Sequence, residues 1–139
     1  MHRAPGIRDS APKLLVSVRN VDEAREAIAG GCDILDVKEP ANGSLGMADV
    51  RAIRDVCHIA RTVSCPTSAA LGETRDWFGR DDIPDIPDEL HYVKLGTAGL
   101  TKATDWARKW RDVRDRFEVA AGRRLNWIAV AYADRQQAA

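Results

Sequence analysis

The chain has 139 residues, which is enough for one domain with a hydrophobic core. Hydrophobic residues make up 45% of it, and 21 basic residues balance 21 acidic ones. This composition excludes a disordered chain and gives no reason to expect nucleic acid or an anionic membrane as a partner. No apolar run approaches the roughly 20 residues of a membrane-spanning helix. Three cysteines without CxxC spacing predict reduced thiols and a cytoplasmic protein.

The first twelve residues differ in character from the rest. They contain two prolines and show no hydrophobic periodicity. We therefore expect a flexible leader over 1–12 and a folded domain over 13–139. The leader lacks the apolar stretch of a signal peptide, which agrees with a cytoplasmic location.

The pattern then alternates between strands and helices. Leu14–Val18 is a nearly continuous apolar run, which is typical of a strand buried on both faces. Asn20 is placed to cap a helix, and Glu23 lies three residues later, as in a capping box. Residues Asp33–Lys38 predict a second strand, which ends at Pro40 because proline cannot continue a hydrogen-bonded ladder.

The second half of the chain is less regular. The segment 74–88 carries two prolines and many charges, so it predicts at most one short helical turn. In the long helix near the end, Trp106 and Trp110 share a side with Phe117, which predicts that both tryptophans pack in the core. The remaining predicted elements are, in chain order, a helix containing Val50–Cys57, a strand ending near Glu73, a strand over 90–96, a helix over 104–121 and a strand over 126–134.

This order of elements predicts a parallel α/β sheet. In such folds the active site lies at the carboxyl ends of the strands. Neither GxGxxG after the first strand nor GxxxxGK[ST] is present, which disfavours a nucleotide-binding doubly wound fold. The polar residues at the predicted strand ends are Ser17, Asp36, Lys38, Glu73, Lys94, Tyr132 and Asp134.

Asp36 and Lys38 are two residues apart, so on a strand they point to the same face. Charges at a buried strand end are unfavourable unless they are paired or used, so a structural salt bridge and a catalytic site both fit this spacing. A neutral lysine forms an imine with an aldehyde or ketone. Lys94, at another strand end, is placed to act as general acid or base, and Asp36 is placed to orient a lysine or shuttle protons.

Other site chemistries fit the sequence less well. Cys57, His58 and Cys65 match no common zinc spacing, so we predict no metal site. The three histidines lie in the leader, on a helix and at a strand start, and we interpret them as non-catalytic. The loop Ala41–Gly46 is able to present N–H groups to a phosphate, although an ordinary turn also explains it.

Several segments together resemble the (5-formylfuran-3-yl)methyl phosphate synthase family, also called 4-(hydroxymethyl)-2-furancarboxaldehyde-phosphate synthases. The matching segments are Leu14–Ser17, Asn20–Ala24, Asp36–Pro40, Gly43–Gly46, Tyr92–Gly96 and Ala131–Asp134. The resemblance implies an α/β fold of the TIM-like (β/α) barrel type. The chain would cover about the first five of eight strands, that is, an incomplete barrel.

The resemblance also implies an activity. It is that of a carbon–oxygen lyase that condenses two molecules of glyceraldehyde 3-phosphate into a furan aldehyde phosphate, with loss of phosphate and water. The product would serve biosynthesis of methanofuran or a related one-carbon carrier. The implied Schiff-base lysine is Lys38, its companion acid is Asp36, and the general acid or base is Lys94. No cofactor is implied.

Three further residues at the same strand ends are expected to bind the phosphorylated aldehyde. They are Ser17, Tyr132 and Asp134. A complete barrel takes about 250 residues, so the later strands and their phosphate-binding groups are not in this sequence. We therefore expect a truncated or incomplete chain, or one that assembles with itself or with a complementing C-terminal half. Open sheet edges would then expose apolar residues, among them Leu14, Val16, Trp127 and Ile128.

Two alternatives stay open at this stage. The first is another imine-forming aldolase on the same scaffold, which substrate profiling with different aldehydes would distinguish. The second is a catalytically inactive fragment or an interaction module, which would form no lysine adduct and would associate through its open edges.

Overall fold

The computed structural model describes residues 11–100 and 104–132. The strands and helices are β1 (Leu15–Val18), α1 (Val21–Ala29), β2 (Ile34–Val37), α2 (Val50–Thr62), β3 (Thr67–Glu73), β4 (Tyr92–Gly96), α3 (Trp106–Ala121) and β5 (Trp127–Val130). The five strands form one parallel sheet in the order β1-β2-β3-β4-β5. The predicted parallel α/β sheet is therefore confirmed, and each strand pairs with the next one along the chain.

The two faces of the sheet differ. The face that packs on the helices, here called the helical face, carries Leu35, Val37, Ala69, Leu71, Val93 and Leu95, all buried in the hydrophobic core. The helices contribute Ile53, Val56 and Phe117 to the same core. The opposite face, here called the open face, carries the alternate strand residues. Leu15 and Ile128 on this face are exposed, because no helix in the described residues covers them.

Local signals explain where α1 begins. The Asn20 side chain accepts a hydrogen bond from the Glu23 N–H at 3.0 Å, which satisfies a backbone group that the helix leaves free. The Glu23 carboxylate in turn accepts the N–H of Arg19 at 2.8 Å, one residue before the cap. The predicted cap at Asn20 is therefore present, but the return bond of a capping box is not, because Glu23 accepts the N–H of Arg19 instead of that of Asn20.

The segment after β3 also agrees with its sequence. Only a single 3₁₀ turn forms, over Thr74–Trp77, and residues 78–89 contain no helix. Ile86 is nevertheless buried in the core, so the segment covers the helical face without forming a third full helix before β4. β5 ends at Val130, earlier than predicted, and Asp134 lies outside the described residues.

Two predictions about burial need correction. Trp106 is 47% exposed, because the aromatic contacts of α3 lie further along the helix, where Phe117 packs edge-on against Trp77 with ring centroids 4.8 Å apart. Val16 and Trp127 are partly buried rather than exposed, because the register places both on the helical face. Leu14 and Ile128 are exposed, as expected, at 52% and 38%.

The structure describes little of the expected leader, since its first ten residues lie outside the described ranges. None of the helices described in the structure has the length and apolar character needed to cross a membrane.

Candidate active site

The carboxylate of Asp36 is the centre of a polar cluster on the open face. Its Oδ1 accepts a hydrogen bond from the Ser68 hydroxyl at 2.6 Å, and its Oδ2 accepts one from the Ser17 hydroxyl at 3.1 Å. The strand register aligns these three residues in one row across β1, β2 and β3. The row supplies donors to a carboxylate that is only 2% exposed and would otherwise be unfavourable to bury.

Lys94 supplies the counter-charge. Its Nζ lies 2.9 Å from Oδ1 of Asp36, and the two side chains are 14% and 3% exposed. Lys94 is aligned with Ala70 of β3, which lies two residues beyond Ser68 and therefore on the same face. Because both β3 residues are small, the lysine side chain reaches across this strand to Asp36. The result is a buried ion pair to which two hydroxyl groups also donate.

Lys38 lies just beyond β2 at the carboxyl edge of the sheet. Its backbone N–H donates to the Val18 carbonyl at 3.1 Å, which continues the pairing of β1 and β2 by one step. Within residues 11–100 and 104–132, its amine takes part in no ion pair or hydrogen bond. The salt bridge that the Asp36–Lys38 spacing suggested is thus formed by Asp36 and Lys94 instead.

A second polar cluster lies at the same edge of the sheet. The Tyr132 hydroxyl donates to Oε1 of Glu73 and lies 3.3 Å from the Ser44 hydroxyl. The other carboxylate oxygen of Glu73 accepts the Ala98 N–H at 3.1 Å. Burial, and then the hydrogen bond to Glu73, raise the pKa of Tyr132 above the usual tyrosine value. The phenol is therefore held in its proton-bearing form.

The predicted substrate-binding residues therefore take different places. Ser17 is hydrogen-bonded to Asp36 in the first cluster, whereas Tyr132 lies in the second cluster. Sequence reasoning did not select Ser68 or Glu73 as site residues. The signal for Ser68 is a polar residue inside an otherwise apolar buried strand, and Glu73 was visible only as one polar strand end among several.

A cavity of about 740 Å³ lies elsewhere, between α2 and the segment after β3. Leu71 and Trp77 line it, so it opens on the helical face, away from Asp36 and Lys94. Its two basic residues are already paired, since Arg80 binds Asp82 and Arg19 binds Glu23, each at 2.7 Å. We therefore place the candidate site at the polar clusters of the open face rather than in this cavity.

The cysteines and histidines do not form a metal site in the described part of the chain. Cys32, Cys57 and Cys65 are free thiols. Burial raises the pKa of the Cys57 thiol, whose nearest polar partner is the Thr67 hydroxyl at 3.7 Å.

Fold and site together define a parallel α/β protein with a buried lysine–carboxylate pair on the open face of its sheet. Comparison with known families makes this more specific. The family model described as 4-HFC-P synthase matches residues 14–139, so the chain belongs to this family.

Curated relatives agree with the family model. The chain is similar to the (5-formylfuran-3-yl)methyl phosphate synthase of Archaeoglobus fulgidus, with 36% identity over 96 residues, or 67% of this chain and 41% of the relative. The protein of that name from Methanocaldococcus jannaschii is 59% identical over 88 residues, or 61% and 32% of the two chains. The one from Methanococcus maripaludis strain C6 is 35% identical over 138 residues, or 87% and 52%. The chain thus spans a third to a half of the relatives it matches.

Proposed function

We propose that this chain carries the amino-terminal part of a furan-forming, Schiff-base lyase. The substrate is glyceraldehyde 3-phosphate, two molecules of which condense to (5-formylfuran-3-yl)methyl phosphate with loss of phosphate and water. The product serves biosynthesis of a methanofuran-type cofactor. The buried ion pair of Asp36 and Lys94, with Lys38 beyond the end of the same strand as Asp36, is the observation that carries this proposal.

The two lysines take different roles in this mechanism. The Lys38 amine makes no ion pair in the described structure, so it is the group placed to attack the carbonyl carbon of the aldehyde. Attack by its lone pair and loss of water give an imine, which acidifies the neighbouring C–H bond. Lys94 shares its ammonium protons with Asp36 and is placed to deliver a proton as general acid. Asp36 accepts hydrogen bonds from two serines, which fix the orientation of the pair.

We further propose that the sheet is part of a TIM-like (β/α) barrel. Three observations support it: the strands are parallel and in chain order, the helices pack on one face, and the polar site lies on the other. The outer edges of β1 and β5 have no strand partner in the described structure, and Leu15 on β1 and Ile128 on β5 are exposed. A second copy of the chain or a complementing C-terminal half is the partner that these edges fit. The free cysteine thiols support a cytoplasmic location.

Borohydride trapping tests the proposed chemistry. The purified chain is incubated with glyceraldehyde 3-phosphate and reduced, and the adduct is located by peptide mass spectrometry. We expect an adduct on Lys38 that Lys38→Ala abolishes and Lys94→Ala weakens. Lys109→Ala, on α3 and away from the open face, is the matched control and should trap as the wild type does. A folded wild type without any adduct would overturn the proposal and favour an inactive fragment or interaction module.

A second measurement separates the remaining candidates. Trapping with a series of other aldehydes distinguishes a furan synthase from another imine-forming aldolase, which would prefer a different substrate. Light scattering over a range of concentrations detects association through the open edges, which the proposed partner requires if it is a second copy.

A further inference from the structure

The Glu73 carboxylate accepts a hydrogen bond on each of its two oxygens. One oxygen receives the Tyr132 hydroxyl, and the other receives the Ala98 N–H. A Cβ added to Gly96 would overlap this carboxylate, so the carboxylate fits against β4 only because Gly96 has no side chain. The Glu73 N–H is itself held by the Asp76 side chain at 2.9 Å. Glu73 thus connects β3 with the turn after β4 and with Tyr132, two residues beyond the end of β5.

A β-bulge explains why Glu73 points to the open face. Ala70 is aligned with Lys94, and Glu73 with Gly96. Between these two aligned pairs the chain advances by three residues on β3 but by only two on β4. The extra residue reverses the alternation of side chains beyond Ala70, as a bulge does. Gly72 within this stretch has φ +81°, a conformation that glycine adopts readily. Without the bulge, Glu73 would share the helical face with Leu71.

The hydrogen bonds of the second cluster have a defined direction. The Tyr132 hydroxyl has one proton, which it donates to Glu73. The Ser44 hydroxyl, at 3.3 Å, therefore donates to the Tyr132 oxygen, and Ser44 itself is exposed. Arg75 is the nearby cation, and its charge favours the tyrosinate form.

We propose that Glu73 is a positioning residue: it fixes the Tyr132 phenol and the Ser44 hydroxyl beside it, so that the remaining lone pairs of their two oxygens accept hydrogen bonds from hydroxyl groups of the substrate. The inference rests on the proposed function, because the substrate is the phosphorylated aldehyde. The strand register aligns Glu73 with Gly96 and Gly96 with Val130, so the cluster lies nearer the carboxyl edge of the sheet than Lys94 does. A substrate attached at Lys38 would then meet the Tyr132–Ser44 pair at the mouth of the site.

Titration of Tyr132 tests the pairing without any substrate. The chain has two tyrosines, so Tyr92→Phe leaves Tyr132 as the one phenol whose tyrosinate absorbance appears on raising the pH. In this background Glu73→Gln should lower the titration midpoint, because the Glu73 carboxylate helps to raise the pKa of Tyr132. Circular dichroism at each pH checks that the fold persists. An unchanged midpoint in a folded variant overturns the pairing.

The concentration dependence of borohydride trapping tests the role toward substrate. Glu73→Gln and Tyr132→Phe should each raise the half-saturating concentration of glyceraldehyde 3-phosphate by about fivefold, the effect of losing or misplacing one hydrogen bond, with the saturated yield unchanged. The double variant should be no worse than Tyr132→Phe. Tyr92→Phe is the matched control, because it removes the same hydroxyl group from the other tyrosine, and should behave as the wild type.

The outcomes are distinguishable. If Glu73→Gln lowers the saturated yield and the melting temperature but leaves the half-saturating concentration alone, Glu73 is merely structural and the inference is wrong. If it acts equally in the Tyr132→Phe background, it does not work through the phenol, and the inference is again wrong. An absence of any wild-type adduct overturns the proposed function and the substrate role with it, whereas the titration judges the Glu73–Tyr132 pairing separately.

Discussion

The Lys94 ammonium lies 2.9 Å from Oδ1 of Asp36. Their strands, β4 and β2, are not neighbours, since β3 runs between them. The pair forms across Ser68 and Ala70, whose small side chains leave space above β3. Ser68 also donates to the same carboxylate oxygen. The ion pair and the Ser68 hydroxyl together thus connect β2, β3 and β4 on the open face.

Removing the negative charge of this pair should destabilise the fold. Asp36→Asn leaves the Lys94 ammonium largely buried without its counter-ion, so we expect the free energy of unfolding to fall by about 3 kcal/mol, the cost of breaking a buried pair. Urea denaturation followed by tryptophan fluorescence measures the change.

Asp55→Asn is the matched control for this experiment. Asp55 lies 3.9 Å from Arg51 on the surface of α2, where both side chains are more than half exposed. Exposed pairs of this kind contribute little, so the change should stay within about 0.5 kcal/mol. Equal losses in the two variants would contradict a structural role for the buried pair.

Gly96→Ala should destabilise the protein through a steric conflict with Glu73. The new Cβ would overlap the end of the Glu73 side chain, which can move away only by giving up its hydrogen bonds to Tyr132 and Ala98, so we expect a loss of about 1 kcal/mol. Thermal melting followed by circular dichroism measures it. Combining Gly96→Ala with Glu73→Ala should recover part of the loss, because the double variant removes the obstructing group.

Gly30→Ala provides the comparison for this prediction. A Cβ at Gly30 would lie 3.5 Å from the Glu26 carbonyl oxygen, an ordinary contact, and the backbone there is right-handed helical. Its melting temperature should stay close to that of the wild type. A Gly96→Ala variant that melts like Gly30→Ala would show that Glu73 does not lie against β4.

The start of α1 should make stability depend on pH. The hydrogen bonds from the Arg19 side chain, followed by its backbone N–H, hold the pKa of Glu23 below the usual glutamate value of 4.5. A carboxyl group whose pKa is lower in the folded state than in the unfolded state stabilises the fold fully at pH values above the unfolded-state pKa. This stabilisation is lost as the pH falls through the folded-state pKa.

Glu23→Gln tests this dependence. The wild type should be more stable than this variant near neutral pH, and the difference should shrink as the pH falls well below 4.5, where Glu23 is also neutral. Urea midpoints at several pH values measure the difference. In an Arg19→Ala background the gap at neutral pH should be smaller, and a gap that is independent of pH would contradict the explanation.

Truncating Phe117 should be the most costly of these changes. Its ring is fully buried and packs edge-on against Trp77 at 4.8 Å and Trp127 at 5.9 Å. Phe117→Ala should therefore lower the free energy of unfolding by about 4 kcal/mol. Val119→Ala, two residues away and 82% exposed in the wild type, should cost less than about 0.5 kcal/mol. Similar losses would mean that α3 does not pack as described.

Much of the fold could be predicted because its signals are local. The cap at Asn20 and the prolines after β3 act through a few neighbouring residues, so the sequence indicates α1 and the missing helix after β3 correctly. The alternation of elements, in turn, leads to a parallel sheet with Asp36, Lys38 and Lys94 toward one edge.

Contacts between residues that are far apart in the sequence could not be predicted from such local signals. The carboxylate of Asp36 binds Lys94 rather than Lys38, because register and the small residues of β3 determine which amine reaches it. Glu73 faces Tyr132 because a bulge shifts the side-chain alternation by one residue, which no period-two pattern reveals. Element type depends on neighbours in the chain and can be inferred from them, whereas pairing across strands depends on register, which is set only when the whole sheet packs on its core.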